Sequence, residues 1–132
     1  MCLPIKVHRP NDVLAEGVHA GLEWTVTNNG SGYRCGYVRV PKGHPWHGKG
    51  YDDVEVSVHG GLTFAEPDEH CGKGEDDAWW LGFDCAHLGD AQDLTLPHEV
   101  KMPHFGSVVR TQEYVESECR SLCEQAAKAA TV

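Results

Sequence analysis

Between His59 and Asp90 the chain carries the side chains best suited to chemistry. His59 stands before Gly60-Gly61, and Asp84, Cys85, His87 and Asp90 follow one another closely after an aromatic run. Imidazoles and carboxylates in one place suit general acid–base work or a divalent transition metal. His59, Asp84, His87 and Asp90 are therefore the candidate catalytic residues, of a hydrolase if the protein is an enzyme. A divalent metal is compatible with these donors but not favoured, because no H-E-x-x-H, paired C-x-x-C or EF-hand spacing accompanies them. No metal ligand is assigned. The bland alternative is that these polar groups cap strand ends, with Cys85 a packing residue.

A second signal lies upstream. Tyr33 to Gly50 contains Arg34, Arg39, Lys42 and Lys49 with no acid, together with His44, Trp46 and His47, in a chain whose formal charge is -9. Arginine grips phosphate or carboxylate through paired donors, and Trp offers a stacking face. The expected binding set is Arg34, Arg39, His44, Trp46, Lys49, His59, Trp80, Asp84 and His87, taking a small anionic, nucleotide-derived ligand. Weighed equally is the reading in which alternate hairpin residues face water and Trp46 covers the core.

Positioning such groups requires a rigid support. Leu22, Trp24 and Val26 alternate with polar residues, a turn of Asn28-Asn29-Gly30-Ser31-Gly32 follows, and Tyr33 to Val40 resumes β-favouring residues, so a hairpin is predicted. Pro41 to Gly50 reads as a loop. Val54, Val56 and Val58 share one side of a predicted strand ending at His59, and Gly60-Gly61 permits a reversal before Leu62-Thr63-Phe64. Glu66 to Asp77 reads as an exposed acidic loop. Ala78 to Cys85 is predicted as a central strand with Trp79, Leu81, Phe83 and Cys85 on one face and Trp80, Gly82 and Asp84 on the other. The periodicity of Val115, Cys119, Leu122, Cys123 and Ala126 predicts a helix over 111–129 that packs on the sheet.

Residues 1–20 contain Pro4 and Pro10 and read as an irregular lead-in or edge strand. The whole is expected to be one α+β domain over 1–132, mainly antiparallel sheet against a C-terminal helix, since a chain of 132 residues can enclose a single core. Six cysteines without dense, regular spacing fit reduced thiols in the cytosol, with Cys119 and Cys123 in the core stripe and Cys2 and Cys71 the more reactive candidates. The acidic balance opposes non-specific nucleic-acid binding, and no apolar run reaches membrane-spanning length, so neither nucleic acid nor membrane is an expected partner. P-loop, dinucleotide-fold and nucleophile-elbow motifs are absent.

The stretches Cys35-Gly36-Tyr37-Val38, Gly43-His44-Pro45-Trp46, Tyr51-Asp52-Asp53, His59-Gly60-Gly61-Leu62-Thr63-Phe64 and Trp79 through His87, with the Tyr114 to Gln125 helix, resemble an uncharacterised small-protein family of bacteriophages and prophages. The resemblance covers most of the chain from about Tyr33 onward. It implies a phage accessory protein working in the host cytosol, acting against a host defence, and it carries no activity over to particular residues. Three functions follow as expectations. The leading one is binding of the anionic ligand without turnover; the alternatives are a His/Asp hydrolase, metal-dependent or not, and an acidic inhibitor that docks on a host protein through the Glu66 to Asp77 loop.

Overall fold

A computed structural model describes residues 9–67, 78–103 and 106–131. The fold is α+β: five antiparallel strands carry one long helix on a single face. The strands are β1 (Val13–His19), β2 (Leu22–Asn28), β3 (Arg34–Val40), β4 (Phe64–Pro67) and β5 (Trp79–Asp84), in the order β1-β2-β3-β5-β4. The predicted β2–β3 hairpin is present, with Trp24 opposite Val38 and Asn28 opposite Arg34. Its turn is closed by two neighbouring amides: Asn28 Oδ1 accepts from the backbone N–H of Gly30 and Gly32, and Asn29 Oδ1 from those of Ser31 and Tyr33. Such local acceptance is what short Asx side chains supply in turns.

Strand β5 lies inside the sheet, between β3 and β4. Because side chains alternate across a strand, the register that sets Val38 beside Leu81 puts Leu81 and Phe83 under the helix and Trp80 on the far side. The helix α1 (Gln112–Ala130) starts at Thr111, whose hydroxyl accepts from the Tyr114 N–H at 3.2 Å, and has Glu113 in its first turn and Lys128 in its last. Both charges complement the helix dipole. Val115, Cys119, Leu122, Cys123 and Ala126 are fully buried against Trp24, Val26, Val38, Leu81 and Phe83. Val115 and Leu122 each contribute roughly 2 kcal/mol by leaving water. The helix comes close because residue 36 is Gly: a Cβ there would stand 2.5 Å from the Phe83 ring and 2.7 Å from Cys119 Sγ.

The structure corrects the reading of residues 54–59. Val54, Val56 and Val58 do turn inward and pack against the core, but the segment joins no sheet. Its hydrogen bonds go to helix side chains instead. Gln125 Oε1 accepts from the Ser57 N–H and Gln125 Nε2 donates to the Ser57 carbonyl, both at 2.8 Å, and Glu118 Oε1 accepts from the His59 N–H at 2.8 Å. One amide side chain thus does for Ser57 what a neighbouring strand would do.

After β5 the chain forms a two-residue parallel ladder, β6 (Asp90–Ala91) with β7 (Val108–Val109), which no pattern in the sequence announced. Glu66 and Pro67 belong to β4. The rest of the acidic loop, with Cys71, and the Cys2 region lie outside the described residues. No described helix is long and apolar enough to cross a membrane.

Candidate functional site

The helix start, the segment before Gly60 and the end of β5 meet around one buried carboxylate. Asp90 opens β6, and its side chain is 1% exposed. Three donors address it. His59 Nε2 lies 3.0 Å from both carboxylate oxygens, Arg110 Nε donates to Oδ1 at 2.7 Å, and the His87 N–H donates to Oδ2 at 3.0 Å. Burial alone would raise the Asp90 pKa, yet the bonds from His59, Arg110 and the His87 amide outweigh it and hold the carboxyl below its ordinary value. Asp90 is therefore an anion at neutral pH.

That charge decides the tautomer of His59. A carboxylate only accepts, so Nε2 carries a proton, and in the neutral imidazole Nδ1 then presents a lone pair. The Tyr114 hydroxyl lies 2.8 Å from Nδ1 and donates to it in that form. The result is a relay of phenol, imidazole and carboxylate anchored at its anionic end. The Tyr114 ring meets the imidazole edge to face, with centroids 5.5 Å apart and planes at 89°. The Arg110 guanidinium carbon stands 5.7 Å from the centre of the same tyrosine ring. Burial, and then the neighbouring Glu118 carboxylate, push the Tyr114 pKa up, so the resting phenol is neutral.

His87 and Asp84 flank this relay. His87 Nε2 is 2.7 Å from Asp84 Oδ1, both side chains are about one-third exposed, and the His87 and His59 rings stand 6.2 Å apart. Gly60 makes room for them. Its φ is +70°, and a Cβ on it would lie 2.4 Å from His87 Nε2, so a side chain there is opposed by both backbone and imidazole. All four candidate catalytic residues, His59, Asp84, His87 and Asp90, are thus brought together.

The basic segment fares differently. Arg34 is 8% exposed and spends its guanidinium internally: Nε on Gln112 Oε1 at 3.0 Å, Nη1 on the Arg110 carbonyl at 2.9 Å and Nη2 on Asp93 at 2.9 Å. Arg39 pairs with Glu23 at 3.6 Å on the sheet face away from the helix. His44 accepts from the Trp46 N–H at Nδ1 and directs Nε2 to the Ala126 carbonyl at 2.8 Å, a buried strut between loop and helix. Trp46 belongs to the core, Trp80 is fully buried beneath the opposite face, and Lys49 is exposed, with its carbonyl accepting from Trp79 Nε1. The expected anion-binding set therefore does not assemble; Trp46 does cover the core, but Arg34 and Arg39, which the alternative reading turned to water, are paired inside the protein. One member has a different use: Arg34 braces the backbone of Arg110 from behind.

Sequence reasoning missed Arg110, Tyr114 and Glu118. Tyr114 and Glu118 are four apart and border the apolar stripe, a spacing that puts both on one helix edge. Arg110 directly precedes the helix cap and carries no signal of its own. Among the described residues, no group of three or more His, Cys, Asp or Glu side chains is placed to hold a metal ion. Cys85 is a packing residue, as the alternative reading had it, with burial first and then Asp90 pushing its thiol up to about 12. Cys119 and Cys123 are core residues as expected; burial and then Glu124 push Cys123 up to about 12. Compared with family models, curated proteins and solved structures, the chain matches none.

Proposed function

We propose that the protein is a hydrolase whose acid–base centre is the Asp90–His59–Tyr114 relay, acting on a small anionic ligand anchored by Arg110. One observation carries this reading. In the neutral imidazole the buried Asp90 anion selects the Nε2–H form of His59 and leaves Nδ1 as a base against the tyrosine hydroxyl. General acid–base assistance of this kind is worth about a hundred-fold to ten-thousand-fold in rate. Arg110 supports the anionic class: only its Nε is engaged by Asp90, and its terminal amino groups have no partner among the described residues. Both His59 nitrogens are spent on protein groups, which favours protein acid–base chemistry over metal ligation at this residue.

The resemblance to phage-encoded proteins makes nucleotide-derived ligands the first class to test, as suits an accessory protein that counters a host defence. Purified protein is incubated with mononucleotides and cyclic dinucleotides, with and without Mg2+ and Mn2+, and the small molecules are read by mass spectrometry. Product that His59→Gln fails to form supports the hydrolase. Recovery of every compound unchanged, with and without metal, overturns it. A second reading, sequestration of the same ligand without turnover, is favoured by the Arg110 amino groups, which have no hydrogen-bond partner among the described residues. It is recognised by a melting temperature that rises with ligand concentration while the ligand stays intact.

A further inference from the structure

The ring of His59 has no nitrogen left for a ligand. Nε2 is taken by Asp90 and Nδ1 by Tyr114, and the imidazole side chain is only 13% exposed. The group that stands in front of this base is the Tyr114 phenol, on a half-buried side chain with the Arg110 guanidinium beside its ring. We infer that Tyr114 Oη is a nucleophile, activated by His59, that attacks the phosphorus of an anionic phosphodiester held by Arg110. This rests on the reading of the relay as a hydrolytic centre and names its attacking atom and substrate class.

The chemistry balances with water as the only co-reactant. In the first step the Oη–P bond forms and the ester P–O bond breaks. The phenolic proton passes to His59 Nδ1, giving an imidazolium that Asp90 stabilises, while the alkoxide, departing in line on the face opposite Oη, takes its proton from solvent water and leaves hydroxide. In the second step water attacks the phosphotyrosine in line from the open face and gives its proton to the hydroxide left in solvent by the first step, and the Oη–P bond breaks as the phenolate takes back the proton held on Nδ1. The products are an alcohol and a phosphomonoester. A resting phenol kept neutral by its surroundings gains its nucleophilicity from a base in contact, and this geometry supplies one. Arg110 supplies the opposite charge for the phosphoryl oxygens.

Two probes test the inference on the full chain. An arylsulfonyl fluoride needs no substrate recognition: Oη–S forms, S–F breaks, the proton goes to His59 and fluoride leaves. The expected result is that Tyr114 is labelled about a hundred-fold faster than Tyr51, which is 50% exposed and serves as the internal control. In His59→Gln the Tyr114 rate falls to the Tyr51 rate, while an unchanged Tyr51 rate and circular dichroism spectrum certify the fold. Tyr114 labelling no faster than Tyr51, or insensitive to His59→Gln, overturns the inference. The second probe is bis(4-nitrophenyl) phosphate, quenched in acid and read by intact mass. One aryl phosphate per chain, on Tyr114 and absent from Tyr114→Phe, is expected; labelling by the sulfonyl fluoride without this adduct overturns the phosphodiester assignment. If nucleotide turnover is found and survives Tyr114→Phe but not His59→Gln, the hydrolase stands and the nucleophile falls.

Discussion

His44 and His59 are a matched pair with opposite fates. Each is held at both nitrogens and largely shielded from water, yet the partners differ in kind. His44 bonds a backbone N–H and a backbone carbonyl, groups that neither take nor give a proton at any accessible pH. His59 bonds a carboxylate and a phenol, both of which do. The same contrast separates Arg34, spent in three directions inside the protein, from Arg110, engaged at Nε alone. Residue type points to a region; the chemistry of the partners tells framework from site.

The hardest blow to this contrast is Asp90→Asn. It leaves His59 and Arg110 facing an amide in a nearly closed environment, and the expected cost is about 3 kcal/mol of stability by denaturant titration. The same change frees the His59 tautomer, so any turnover falls in parallel. His44→Ala should cost less, about 2 kcal/mol, through two lost hydrogen bonds and a poorer seat for Trp46. It should leave the sulfonyl fluoride labelling of Tyr114 untouched; a drop in that labelling would merge the two regions and defeat the comparison.

The smallest effect is acid sensitivity. Asp90 and Asp93 both have lowered folded pKa values, Asp90 through His59 and Arg110 against its burial, Asp93 first through the Thr95 hydroxyl. The unfolded chain therefore binds more protons than the native one below the ordinary Asp value of about 4, and stability declines as pH falls through that range. Between about pH 5 and about pH 3 the wild type should lose about 1 kcal/mol more than Asp90→Asn, which lacks one of the two groups. An equal loss in both proteins would mean that Asp90 does not titrate differently on folding.

Much of the scaffold could be read in advance because its signals are local. The alternation of Leu22, Trp24 and Val26, the Asn-Gly turn, the faces of β5 and the stripe on α1 each depend on residues close in sequence. The assembly of His59 with Asp84, His87 and Asp90 was legible as four residue types at strand ends, but not as a geometry. Arg110 and Tyr114 were invisible since their importance comes from partners 20 and 55 residues away. The mistaken strand at 54–58 has the same origin: the valines alternate as in a sheet, and only the position of Gln125 shows that the partner is a side chain.

The Gln125 clasp on Ser57 also decides which part of the molecule the site belongs to when the protein breathes. Ser57 and the His59 N–H take their backbone partners from α1 side chains, so this stretch is tied to the helix and not to the sheet's ladder. A fluctuation that lifts the helix carries off Tyr114, Glu118 and the tether of His59 together, leaving Asp90 behind on the strand side. The relay is thus tied to the docking of the helix on the sheet, and the core that holds the two together also holds the relay in one piece.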